Sequence, residues 1–351
     1  MKKSRALGVL IGGLVLTSLA VAGCSSGGAT AEPQESGGGD EQYVVGISNT
    51  LASSLWREQM ICSIKAEALA SGKVSEVITV SKDGGPTEQI QDLQNLISQG
   101  VDILVVNPSD PEKLNSIIAE AQAQGITVVV VDSTVTAPDT HMVTNDQVAV
   151  GELEMRGLAE MIGGEGDVLY MRGIQGVQAD IDRDTGVKAA LEDYPGINLK
   201  EVWMGWDYTK AGEVAVQEFT AKQYDGVWSS GADFPVVKGM ETAGAEPVPV
   251  AGEGSNEFIK LLSEGAQGVI VTNPPAIGGA GLNVALRVLD GEDVPYSTVI
   301  TPETFNTTDN AEEIADMYLP GQPPRFQTTL SVPGLTTYTD EQVLACKGPG
   351  E

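Results

Sequence analysis

Trp56 and Trp206 are two of only four tryptophans in the 351-residue chain, and each follows an apolar run. An indole face stacks on the C–H face of a sugar ring, and nearby carboxylates and amides take the ring hydroxyls. Acids hold comparable places after other apolar runs, at Asp132, Asp182, Asp233 and Glu253. Trp203 and Trp228 fall inside such runs and read as core. Arg57 sits next to Trp56 at the expected start of a helix, where the macrodipole disfavours a cation. A carboxylate across a binding cleft, or a ligand oxygen, is expected to offset it.

Reactive constellations are scarce. His141 is the single histidine, in an expected loop after TAPDT, and one imidazole makes no metal cluster. No GxSxG, GxxxxGK[ST], HExxH or CxxC pattern occurs. DIDRDTG (180–186) alternates acids as a calcium loop does, but its glycine comes one place late and Leu191 stands where the bidentate acid belongs. These acids instead suit a helix start. GGAGLN (278–283) reads as a helix-packing segment. A hydrolase using Asp182 or Asp233 lacks a companion base in any motif. The expectation is therefore binding, with no catalytic residue, no metal and no cofactor.

The elements that must position these groups alternate along the chain. Apolar runs suited to buried parallel strands lie at 43–48, 76–81, 102–107, 126–132, 167–172, 199–205, 226–230, 247–252 and 268–273. TEQIQDLQNLISQG (87–100) puts Ile90, Leu93, Leu96 and Ile97 on one helical face and stops at Gly100. PEKLNSIIAEAQAQG (111–125) follows Asp110 as a cap, with Pro111 in the first turn. Such alternation predicts a doubly wound α/β architecture. Ligands bind at the carboxyl ends of the strands in such sheets. The tryptophans and acids named above stand there.

The amino terminus addresses the compartment. MKKSR is followed by the apolar ALGVLIGGLVLTSLA and then by LAVAGC, ending at Cys24. This resembles a bacterial signal peptide with a lipobox, cleaved before Cys24 so that the new terminal cysteine is acylated. Residues 1–23 are then the signal peptide. Residues 24–42, polar and Gly/Ser-rich, form a lipidated flexible tether. The expected place is the extracytoplasmic cell envelope, held to the cell membrane by the lipid anchor only. A formal net charge of −29 argues against nucleic acid as a partner. Cys62 and Cys346 remain as either a disulfide or two buried thiols.

Several segments, in order, resemble the type I periplasmic solute-binding proteins of ribose-type sugar ABC importers. They are VVGISN with the turn at 49–57, DILVVNPSDPEKL (102–114), ITVVVVDS (126–133), VTNDQVAVGE (143–152), MRGIQG…DRDTGVKAAL (171–191), VAGEGSNEF (250–258) and VTNPPAIGGAGLNVAL (271–286). The resemblance implies two α/β lobes joined by a three-strand hinge, with ligand held between them. One lobe would comprise 43–145 plus about 273–303, the other 146–272 plus part of 304–351. Ser53, Leu55 and Trp56 take the first-loop contact positions. Asp132 matches a hydroxyl-binding acid, Trp206 a stacking aromatic, Glu253 an acid usually present as Asp, and Thr272 a polar contact with Asn273 beside it. Ser133 and Ile181 stand where ribose binders carry arginines, which makes ribose itself a poor fit; Arg183 then holds structure and Asp182 faces the ligand. The implied protein is a monomer that takes a sugar or polyol and delivers it to an ABC permease and its ATPase. The alternative is a sensor of an autoinducer- or nucleoside-like ligand feeding a membrane receptor.

Overall fold

The computed structural model describes residues 42–351. The expected signal peptide, Cys24 and all but the last residue of the tether lie outside the described residues. Among the described residues no helix is long and apolar enough to cross a membrane.

The chain begins as β1 (Tyr43–Asn49), α1 (Leu55–Ser71), β2 (Val74–Ser81), α2 (Pro86–Ser98), β3 (Ile103–Val106), α3 (Asn115–Ala123), β4 (Thr127–Val131) and β5 (His141–Asn145). It continues with α4 (Gln147–Met161), β6 (Glu165–Arg172), α5 (Gln178–Leu191), β7 (Gly196–Trp203), α6 (Tyr208–Ala221) and β8 (Gly226–Ser229). Then follow α7 (Asp233–Ala243), β9 (Val250–Gly252), α8 (Asn256–Ser263), β10 (Gly268–Val271) and α9 (Ile277–Leu289). The last elements are β11 (Ser297–Ile300), β12 (Thr304–Asn306), α10 (Ala311–Asp316) and α11 (Asp340–Ala345).

Two six-stranded sheets result, ordered β11-β5-β4-β3-β1-β2 and β12-β10-β9-β8-β6-β7. Only β12 runs antiparallel, against β10. The doubly wound expectation holds, once in each of two lobes. The reason is visible in the valine runs. On β3 and β4, Val105, Val129 and Val131 face Met60 and Ile64 of α1 and Ala280 and Val284 of α9. Their neighbours Leu104, Val128 and Val130 face Leu93 and Leu96 of α2 and Ile117 and Ile118 of α3. Strands buried on both faces read as continuous apolar runs.

Three departures from the sequence reading have local causes. Asp110 accepts the backbone N–H groups of Glu112 and Lys113, so a tight turn forms there and α3 begins only at Asn115. His141 opens β5 rather than lying in a loop, and its ring stacks on Tyr296 with centroids 4.7 Å apart. Trp203 ends β7 at the sheet edge, half-buried, with the Arg172 guanidinium 4.4 Å over its ring, so it is not core. Trp228 is fully buried.

The backbone passes between the sheets at 145–147, at 271–277 and at 300–304. The tail makes a fourth passage. Asn256 at the start of α8 binds it through the carbonyls of Leu319, Gln322 and Phe326. Gln327 then exchanges two hydrogen bonds with the Gln59 side chain of α1, at 2.8 and 3.0 Å. Beyond it, Thr337 donates twice to Glu67, and Cys346 is disulfide-bonded to Cys62 of α1 across 284 residues of sequence. A cross-link closing so long a loop restricts the unfolded chain strongly. Reduction, or Cys346→Ser, should lower unfolding free energy by about 2–5 kcal/mol, read as a lower urea midpoint. An unchanged midpoint would mean that packing alone holds the tail.

Candidate functional site

A cavity of about 240 Å³ opens at the carboxyl ends of both sheets. The first sheet contributes Ser53, Trp56 and Arg57, which follow β1, and Asp132, which follows β4. The second contributes Arg183, Trp206, Gly231 and Glu253. Gln147 and Asn273 come from the crossing segments, and Arg325 and Gln327 from the tail.

Arg183 organises the second lobe's side. Its Nε donates to Gln147 Oε1 (2.8 Å), and its Nη1 donates to Ser230 Oγ (2.9 Å) and Glu253 Oε1 (2.5 Å). Burial opposes its charge, but Glu253 and Glu154 outweigh that and raise its pKa. This reach depends on close helix approach. A Cβ on Gly151 of α4 would lie 2.1 Å from the Arg183 carbonyl oxygen, and one on Gly186 of α5 would lie 2.0 Å from that of Val148. Only glycine at both places lets α4 and α5 touch backbone to backbone.

The network continues toward the first lobe. Asn273 Nδ2 donates to Glu253 Oε2 (2.8 Å), while its Oδ1 accepts from Asn145 and Gln147. Its backbone carbonyl accepts the Trp56 indole N–H at 2.9 Å. Trp206 donates its own indole N–H to Ser230 Oγ at 3.0 Å. Both tryptophans are thus fixed through their polar edges. Trp206 and Asp132 have φ values of 56° and 68°. Non-glycine residues enter this left-handed region at a cost of about 1–3 kcal/mol, and such strain clusters at ligand sites.

Arg57 pairs with Asp132 at 3.3 Å. The expected carboxylate is therefore present, but in the same lobe rather than across the cleft. Burial lowers the Arg57 pKa, only partly countered by Asp132, and Nη1 of Arg57 has no hydrogen-bond partner. Asp132 Oδ2 also accepts from Asn107 Nδ2 at 3.1 Å.

Ser53, Trp56, Arg57, Asp132, Trp206, Glu253 and Asn273 all line the cavity. Asp182, Asp233 and Thr272 do not. On α5, Ala179 and Arg183 face the cavity one turn apart, which turns Asp182 aside to accept from Gln178 at 2.8 Å. Asp233 is fully buried and saturated by the N–H groups of Phe234, Gly254 and Ser255 and by the Ser255 hydroxyl. It holds the loop that carries Glu253. Thr272 exchanges hydrogen bonds with the Glu303 backbone and ties two crossing segments together. Arg183, expected only to hold structure, holds structure and also lines the cavity. Gln147, Arg325 and Gln327 were not anticipated. Gln147 directly follows Asp146, whose carboxylate caps α4, and that signal marks the position.

Glu154 of α4 is fully buried, and neither of its carboxyl oxygens has a partner. Burial pushes its pKa well above the ordinary 4.5; Arg183 opposes this, while Glu253 and Asp233 reinforce it. The unfolded chain releases this proton near 4.5, but the folded protein keeps it to higher pH. Above that value the folded state binds more protons, so stability falls as pH rises. Glu154→Met should flatten the stability–pH profile above about pH 5 and stabilise the fold by about 1–3 kcal/mol. Urea titrations across pH check this, and a slope equal to the parent's would place the dependence elsewhere.

Comparison with known proteins agrees with this geometry. Residues 45–293 match the family described as periplasmic binding protein domain. The xylitol-binding protein of Mycolicibacterium smegmatis is 28% identical over 245 residues, 68% of this chain and 70% of that protein. An ABC transporter solute-binding protein from Thermobispora bispora superposes with a TM-score of 0.70 at 25% identity, covering 81% of this chain and 90% of that one. One from Mycobacterium smegmatis with bound glycerol gives a TM-score of 0.68 at 26% identity, covering 81% and 98%. With both lobes, the cavity between them and the sequence match in agreement, the chain belongs to the periplasmic binding protein domain family, whose members bind solutes for transport and are not enzymes.

Proposed function

We propose that the protein captures a sugar, polyol or similar small hydroxylated molecule between its lobes and delivers it to an ABC permease and its ATPase. The observation that carries this reading is the pairing of Trp56 with Trp206, one from each sheet, around a cavity edged by Asp132 and Glu253. Indole faces take the C–H surface of a ring, and the acids and amides take its hydroxyls. The cavity, at about 240 Å³, suits a monosaccharide-sized solute and lies below the roughly 300–1,000 Å³ of drug-sized pockets. Relatives named for binding xylitol and ribose support the class. The lipobox-like segment ending at Cys24 supports tethering to the outer face of the cell membrane by acyl chains.

A ligand at one hundred times its Kd should stabilise the fold by about 2.7 kcal/mol. A thermal-shift panel of sugars and polyols should therefore contain members that raise Tm by several degrees. A panel with no responder would remove this ligand class. Trp56→Ala should keep the circular dichroism of the parent yet bind the responding ligand about tenfold more weakly or worse, ~1.4 kcal/mol. Unchanged affinity would remove the indole sandwich.

A further inference from the structure

The charge lining the cavity runs against that of the chain. The sequence holds seven arginines and 49 acids, yet three of those arginines line the cavity, Arg57, Arg183 and Arg325, against two carboxylates, Asp132 and Glu253. Two of the guanidiniums are paired, Arg183 with Glu253 and Arg57 with Asp132. Arg325 has no carboxylate within 4.0 Å among the described residues. Its guanidinium instead lies 5.5 Å from the Tyr208 ring centroid. The Tyr208 hydroxyl is itself committed to the Gly231 carbonyl at 2.7 Å.

Arg325 does not ride on a loose end. Pro324 on one side accepts from the Glu257 N–H at 3.0 Å, and Phe326 on the other accepts from the Asn256 N–H at 2.7 Å. The tail backbone is therefore pinned to α8 on both sides of the arginine, and the guanidinium is offered to the cavity from a fixed point. The positive side is reinforced at the opposite lobe. Arg57 keeps an uncommitted donor there, since its Nη1 lacks a partner. The 17-residue α1 also begins at the cavity wall, and the Ser54 side chain does not cap it. Such a helix start favours an anion. Glu154 does not line the cavity, and burial pushes its pKa up, which weakens its opposition to the excess.

We propose that the solute carries a single carboxylate beside its hydroxyls, as an aldonic or uronic acid does, and that Arg325 on the crossing tail pairs with it. This deepens the capture reading and rests on it. One surplus guanidinium matches one negative charge. A phosphate dianion fits less well, because Asp132 and Glu253 remain in the same wall. The hydroxyl-bearing end faces Asp132 and the indoles, as a neutral sugar would.

The test uses purified protein with matched pairs, D-galactonate against D-galactose and D-xylonate against xylitol, by calorimetry and thermal shift. One acid of a pair should bind at least about tenfold more tightly than its neutral partner, ~1.4 kcal/mol. In Arg325→Gln that acid-over-neutral ratio should shrink by about tenfold, with the parent's circular dichroism retained. Arg325 is at the cavity mouth and exposed, so its replacement leaves the core intact. A neutral partner that binds as tightly as its acid overturns the carboxylate and leaves sugar capture standing. Binding by no member of either pair overturns the carboxylate proposal, while the wider sugar and polyol panel decides the capture reading. A preserved ratio in Arg325→Gln, or tighter binding of galactose 6-phosphate than of galactonate, also overturns the proposal.

Discussion

Arg183, Glu253 and Asn273 form one continuous polar chain at the base of the cavity, and both tryptophans hang from it. At one end Ser230 receives Arg183 and the Trp206 indole; at the other the Asn273 carbonyl receives the Trp56 indole. Gln147 bridges the middle, accepting from Arg183 and donating to Asn273. Each of the three is at least nine-tenths buried. Removing one partner of such a buried ion pair leaves an uncompensated charge and costs about 3–5 kcal/mol. The chain therefore fixes where each indole points. It also joins the two lobes through groups that cannot be separated without exposing or orphaning them.

What keeps this chain in place is not itself in the cavity. Gly151 and Gly186 let α5 lie against α4, and that contact sets Arg183 opposite Gln147. Asp233, spent wholly on the backbone of Gly254 and Ser255, fixes the loop that carries Glu253. Thr272 locks the 271–277 crossing to the 300–304 crossing and so positions Asn273. Strained backbone at Trp206 and Asp132 persists because these surroundings over-determine it. Buried polar residues next to a ligand site can thus serve the site through a neighbour.

This division explains what could be read in the sequence. Valine runs such as 128–131 announce strands because both faces are covered. Strands β5, β11 and β12 carry mixed residues and lie toward sheet edges, so composition does not mark them. Position after a strand located Trp56, Asp132, Trp206 and Glu253, because the sheet topology decides where a strand ends. It did not decide which way a side chain turns there. Asp182 and Asp233 satisfy the same positional rule, but helical phase removes the first and a backbone loop claims the second. Arg325 and Gln327 follow no strand of the sheets. Gln327 is held at the cavity by Gln59, 268 residues away in sequence, and Arg325 by α8 through Pro324 and Phe326, and no local pattern encodes either contact.

The tail also bears on how capture would work. A ligand shifts an equilibrium between lobe arrangements only if it binds one of them better. Here the two aromatic faces and the two acids are divided between lobes, so a solute gains its full set of contacts only when both are near. Arg325 adds to that difference, because its neighbours Pro324 and Phe326 are bonded to α8 while Gln327 is bonded to Gln59 of α1. Thr328, one residue further on, is bonded to Gly254 of the second lobe. Any opening between the lobes must therefore part Gln327 from Gln59 or bend the tail beyond Thr328, and either would draw Arg325 with the second lobe. The disulfide at Cys346 anchors the far end on the first lobe, so that bending cannot be relieved by the tail sliding. The arginine that supplies the surplus charge is thus coupled mechanically to the motion that would enclose its ligand.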